Sequence, residues 1–228
     1  MCGRFTLALE HEQLLMRYGF SPFELEYSPR YNIAPMQQSP IVAVMGAKET
    51  LSFMRWGLVP SWAKDEKMAA RMINARSETV AEKPSFRKPF KTQRCLVPAT
   101  GYYEWKELPE SRPMKKVKVP MYFTINDSEP FSFAGLWDRW KRFDGKEVIS
   151  FTIITTEPNE LSAPIHNRMP VILKPEDEDS WLDPANQENE KLVSMLRPYE
   201  GDDLNVFPVS KYVNSPLNDS PKCIEKVA

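Results

Sequence analysis

The 228-residue sequence predicts an α+β fold, a single domain built on a curved, mainly antiparallel β-sheet or barrel-like core with flanking helices. Three observations carry that expectation. The runs QSPIVAVMG, TLSFMRWGLVP, KVPMYFTIN, PFSFAGLWDRW and EVISFTIITT are strand-like, and most are bounded by Gly, Pro, Asn or Asp. Few helical patterns fall between these runs, and 21 prolines interrupt the chain, which argues against a doubly wound parallel sheet. The hydrophobic share of 42%, with 11% aromatic and 27% charged residues, is that of an ordinary globular protein with one core.

Taken in order, the first element is a helix over Glu10 to Tyr18, where Leu14 and Leu15 form an apolar stripe that ends at Gly19. The strand-like runs follow, and Trp56 belongs to the core because its neighbours alternate like a buried strand. Lys106 to Lys118, KELPESRPMKKVK, is polar and contains proline, so it reads as an exposed loop between strands. Late helices fit PEDEDSWLDP and NQENEKLVSMLRP, and the tail after Pro216 is expected to be loosely held. No internal repeat or low-complexity linker divides the chain, so residues 1–228 are expected to form one domain.

No apolar run approaches the ~20 residues of a membrane helix, and the opening residues carry acids where a signal peptide has an apolar stretch. A cytoplasmic location, without membrane contact, is the expectation. The three cysteines, Cys2, Cys95 and Cys223, have no metal-ligand spacing, and only two histidines, His11 and His166, are present. Reduced thiols and neither metal nor cofactor are expected. The net charge of −1 hides an asymmetry: Arg71 to Lys118 holds 12 basic residues against 5 acidic, and Glu157 to Asp203 holds 4 against 12. That pattern permits a basic face on a neutral protein, and it fits two unrelated solvated segments equally well.

The chain start, Met1-Cys2-Gly3-Arg4-Phe5, is unusual. Removal of Met1 leaves Cys2 with a free α-amine beside its thiol. With the ordinary α-amine pKa of about 7.7 to 8.0, about a quarter of such amines are unprotonated near pH 7.4, against about one lysine in a thousand. The amine can attack an aldehyde, and the thiol can then close the imine to a five-membered thiazolidine. A cysteine at position two can also be a small residue without a role. Five further blocks accompany it: RYNIAP (30–35), RWGLVPSW (55–62), INARSET (73–79), GYYEW (101–105) and PIHNRMP (164–170). Singly, Glu104 can be a carboxylate at the core rim and His166 a structural histidine.

Together and in this order, these blocks resemble the SOS-response-associated peptidase family. The resemblance implies a β-rich domain with a positively charged groove for single-stranded DNA and a thiazolidine crosslink to the ring-opened aldehyde of an abasic site. By motif position it makes Cys2 the nucleophile and Asn74 the side chain that hydrogen-bonds the reacting sugar or imine. Glu104 is similar to the family's proton-transferring carboxylate, and His166 to the histidine that stabilises the opened sugar. Arg4 and Arg76 are the implied phosphate ligands, and Asn32, Pro35 and Trp62 match positions beside the bound strand. Arg71, Arg87, Lys88, Lys91 and Arg94, in the basic stretch, are further candidate phosphate ligands. AKDEK follows Trp62 where family members place a second aromatic. The implied partner is abasic single-stranded DNA, with single-strand to duplex junctions included, bound by a monomer that associates with the nucleoid. The residues also admit a cysteine peptidase using Cys2, Glu104 and His166, or a non-enzymatic binding module for single strands.

Overall fold

A computed structural model describes residues 2–21, 27–108, 117–126 and 128–227. Its elements in chain order are β1 (Phe5–Leu7), α1 (His11–Arg17), β2 (Arg30–Ile33), β3 (Gln38–Met45), β4 (Lys48–Trp56), β5 (Asn74–Arg76), α2 (Arg87–Thr92), β6 (Arg94–Ala99) and β7 (Gly101–Glu107). They continue with β8 (Lys118–Ile125), β9 (Phe131–Lys141), β10 (Glu147–Thr156), β11 (Met169–Pro170), β12 (Ile172–Leu173), α3 (Pro175–Leu182), α4 (Asn189–Ser194) and β13 (Leu204–Pro208).

Two sheets organise these strands. The first runs β13-β8-β7-β1-β2 and is antiparallel throughout. In the second, β3 pairs with β4 and β6, β6 with β9, β9 with β10, and β10 with β4, so these five strands close into a ring. The α+β architecture with a barrel-like, mainly antiparallel core therefore stands. The β10–β4 and β10–β5 contacts are parallel. Closure removes the free edges that an open sheet leaves unpaired.

Local chemistry explains the elements. Glu10 and Gln13 form a reciprocal capping box at the start of α1, which buries Leu14 and Leu15. The β3–β4 hairpin turns on two residues, with Gly46 at a φ of 73°. β9 is buried from Phe131 through Asp138, and β10 from Ser150 through Thr156, because both faces of these strands are covered. Phe5 joins the two sheets: its ring meets Trp56 at 5.2 Å and Phe133 at 6.0 Å, and Trp56 stacks on Phe151. Trp56 is fully buried, as its pattern predicts.

Three expectations need correction. The tail after Pro216 is docked: Asp219 bonds Arg30 and the Tyr31 N–H, Cys223 is fully buried, and Lys226 forms a β-bridge with Val209. Its satisfied polar contacts hold it, which sequence position alone does not reveal. In the segment 106–118, Lys106 and Glu107 extend β7 and Lys118 begins β8, while 109–116 lie outside the described residues. The second late helix is confined to Asn189–Ser194. All three cysteines are free and buried.

Candidate functional site

The site lies at the seam between the two sheets, and four separate segments build it. β1 pairs with β7 in the register Phe5↔Tyr102, and the Tyr103 N–H donates to the Arg4 carbonyl at 3.0 Å, so the chain start runs alongside Glu104. β5 lies parallel to β10 at Asn74↔Ile153 and carries Asn74 to the same place. There the Asn74 Nδ2 donates to the Cys2 carbonyl at 2.8 Å. His166 arrives on the connection between β10 and β11, with its Nε2 3.9 Å from the Glu104 Oε2. The four residues expected to carry the chemistry are thus brought together.

Two glycines in the surrounding frame sit where a side chain would clash. Gly101 opens β7 where a Cβ would lie 2.4 Å from the Tyr122 ring. Gly57, at a φ of 121°, turns the chain out of β4 where a Cβ would lie 2.8 Å from the Ala69 carbonyl oxygen.

Electrostatics then separate the roles. Burial pushes the Cys2 thiol well above its ordinary range, and the nearby Glu104 carboxylate raises it further, so the sulfur stays protonated. Burial likewise lifts Glu104, which is only 4% exposed, up to about 7, with Lys118 pulling the other way. Burial lowers His166, again with Lys118 acting in the same direction, and this favours the neutral imidazole. The Arg168 N–H lies 3.1 Å from the His166 Nδ1. When Nδ1 accepts that bond, the ring proton sits on Nε2, facing Glu104. The Asn74 Oδ1 is buried with no hydrogen-bond partner among the described residues, which leaves an open acceptor beside Cys2.

Residues that motif reading did not single out hold this arrangement. The Arg168 guanidinium grips Glu78 with two bonds, at 2.5 and 3.0 Å, and donates to the Thr155 carbonyl at 2.6 Å. It thereby fastens the His166 loop to β10 and to the turn after β5. Asn159 secures the other end of that loop by donating to the Tyr199 carbonyl at 2.7 Å. Arg168 stands two residues after His166 in a quoted block, but its pairing with Glu78, 90 positions away, leaves no mark in the sequence.

The expected DNA contacts divide. Trp62 is 56% exposed and Arg76 is exposed, while Pro35 is half-buried beside Met36, an exposed residue at a φ of 72°. Asn32 is instead fully buried: its Oδ1 accepts from Arg4 at 2.7 Å, and its Nδ2 lies within donating distance of the Val213, Ser215 and Asn218 carbonyls. Arg4 is half-buried and also bonds the Val213 and Asn214 carbonyls at 2.9 and 3.2 Å. These two residues brace the C-terminal segment. Arg94 is buried too, with its guanidinium spent on five backbone carbonyls.

Fold and site define a two-sheet protein with a barrel-like core, in which Cys2 near the chain start lies beside a carboxylate, an imidazole and an amide. Residues 1–216 match the SOS response associated peptidase (SRAP) family, and the chain belongs to that family. It is 48% identical over 227 residues to the abasic site processing protein YoqW of Bacillus subtilis (strain 168), covering 99% of each chain. It is 33% identical over 231 residues to the abasic site processing protein HMCES of Gallus gallus, covering 88% of this chain and 67% of that one. A crystal structure of a protein from Bacteroides thetaiotaomicron superimposes with a TM-score of 0.87 at 30% identity over the full length of both chains.

Proposed function

We propose that this protein senses abasic sites in single-stranded DNA and captures them covalently through Cys2 once Met1 is removed. The observation that carries this reading is the convergence of Cys2 with Asn74, Glu104 and His166 at one seam, in a family whose relatives are named for abasic site processing. The α-amine nitrogen of Cys2 attacks the aldehyde carbon of the ring-opened sugar. The carbinolamine loses its hydroxyl as water, with the proton supplied by Glu104, whose pKa near 7 suits both giving and taking a proton at neutral pH. The sulfur then adds to the imine carbon and its proton passes to the nitrogen, closing the thiazolidine. Neutral His166 hydrogen-bonds the departing sugar oxygen, and the free Asn74 Oδ1 accepts from a sugar hydroxyl or the carbinolamine. The strand is held by Arg76 along its phosphates, with Pro35 and Trp62 beside its bases.

The state of the sulfur bears on the alternative of peptide cleavage. A cysteine peptidase needs a thiolate, and burial together with Glu104 keeps this thiol protonated. Closure onto an already electrophilic imine makes a smaller demand. The test is incubation of purified protein with an abasic single-stranded oligonucleotide, the same oligonucleotide without the lesion, and a panel of peptides. A denaturing-gel band shifted by the abasic strand alone is expected. Peptide turnover without any such band would overturn the reading.

A further inference from the structure

We propose that the exposed face of α2 is a second DNA surface, a cradle for the phosphodiester backbone of a duplex arm beside the lesion. This rests on the abasic-DNA reading above for its partner, and of that site's residues it takes only Trp62, as a landmark for where the arm lies. A cavity of about 520 Å³ is lined by Arg87, Lys88, Lys91, Thr92, Ala81 and Gln187, with no carboxylate in its wall. Glu82 and Glu188 are chain neighbours of lining residues and stand outside that wall. None of the three cations forms an ion pair with a described residue, whereas Arg17, Arg30, Arg139 and Arg168 each hold a carboxylate. Three unneutralised positive charges around one open cavity are the electrostatic footprint of a polyanion.

The cradle is built on rigid supports. Pro89 and Phe90 bury the inner face of α2, and the Phe90 ring packs edge-on to Trp181. The Arg94 guanidinium bonds the carbonyls of Phe90 and Lys91 at the end of α2 and those of Trp181, Asp183 and Asn186 on the chain leading to Gln187. It therefore locks both walls together. It also covers the partial negative charge that a helix C-terminus would present to a phosphate.

Location names the arm. The buried Asp138 carboxylate accepts from the Ser61 N–H at 2.7 Å and from the Gln93 Nε2 at 3.3 Å. One side chain thus keys the loop bearing exposed Trp62 to the residue that follows α2. Trp62 follows Ser61 and Lys91 stands two residues before Gln93, so an indole able to stack on a terminal base pair and cations able to follow its phosphates are borne on segments tied to one carboxylate.

The test is the triple variant R87A/K88A/K91A, compared with wild type on undamaged junction DNA and on a short single strand, by anisotropy across a salt series. All three side chains are exposed, so the fold should persist, and an unchanged melting temperature checks this. The log-log salt slope on junction DNA should fall by about 2 to 3, at ~0.9 per duplex phosphate contact. The slope on the short strand and the crosslinking rate on a short abasic strand should be unchanged. An unchanged junction slope, or an equal fall on both DNAs, overturns the proposal. Failure of wild type to crosslink abasic strands would instead count against the proposed function alone, because the junction measurement needs no lesion.

Discussion

At the scale of single residues, the proposed chemistry asks a buried carboxylate, Glu104, to move protons. Glu104 has a folded pKa near 7 against an ordinary value of 4.5, so the folded state holds its proton more tightly than the unfolded chain does. Its stability contribution is therefore fully present below about pH 4.5 and is lost as pH rises through about 7. Glu104→Gln is expected to stabilise the protein at pH 8 by up to ~3 kcal/mol, with the gain disappearing near pH 4, while slowing crosslinking at every pH. Melting curves at the two pH values check the first part and single-turnover gels the second. His166→Ala and Asn74→Ala should also slow crosslinking, and both should leave affinity for intact strands nearly unchanged. Asn32→Ala should behave in the opposite way. Removing a buried amide that joins Arg4 to the C-terminal segment should cost ~2–4 kcal/mol in a denaturant titration, with little effect on chemistry in the protein that remains folded. The convergence of Cys2, Asn74, Glu104 and His166 was legible because they sit in blocks whose order is distinctive. The bracing role of Asn32 and Arg4 was not, because an internally satisfied polar side chain looks in sequence like one that faces a ligand.

At the scale of elements, the long strands β3, β4, β8, β9 and β10 announce themselves through β-branched and aromatic runs. The short ones do not. β5 is three residues long and exists because Asn74, Ala75 and Arg76 find a parallel partner in β10, about 80 positions later. No local pattern encodes such a pairing, yet this one delivers Asn74 to Cys2. β6 contains Pro98, which reads as a break, although the strand is buried throughout. The docked tail illustrates the same limit, since Asp219 bonds Arg30 and Tyr31 of β2 and the Asn218 carbonyl accepts from Asn32, 186 to 189 positions away. Ending the chain after Pro216 should lower the melting temperature by several degrees, as expected when about 2 kcal/mol of buried hydrogen bonding is removed. An unaltered melting temperature would show that the tail contributes nothing. Trp62→Ala should reduce preference for abasic sites at a junction more than it slows reaction on an isolated strand, because stacking contributes about 1 to 3 kcal/mol per base. Paired competition assays on the two substrates measure this.

At the scale of the whole molecule, closing one sheet into a ring and laying a second across it leaves a seam, and the chain start is threaded into that seam by β1. The basic stretch supplies β5, α2 and β7, and the acidic stretch supplies α3 and α4, so the opposite charges belong to different elements of one body. Among the described residues no helix is long and apolar enough to cross a membrane. Arg76→Ala should lower the salt slope for single strands by about 0.7. An unchanged slope would remove Arg76 from the strand path. The central claim is that the α-amine and thiol of Cys2 act together. It is tested most directly by comparing protein with a free amino-terminal Cys2 against protein carrying an uncleavable residue before it, both incubated with an abasic single strand and run on a denaturing gel. The free form is predicted to give a stable crosslink and the blocked form none, with both binding undamaged strands alike. Equal crosslinking by the two would contradict the account and point to a lysine or an internal cysteine.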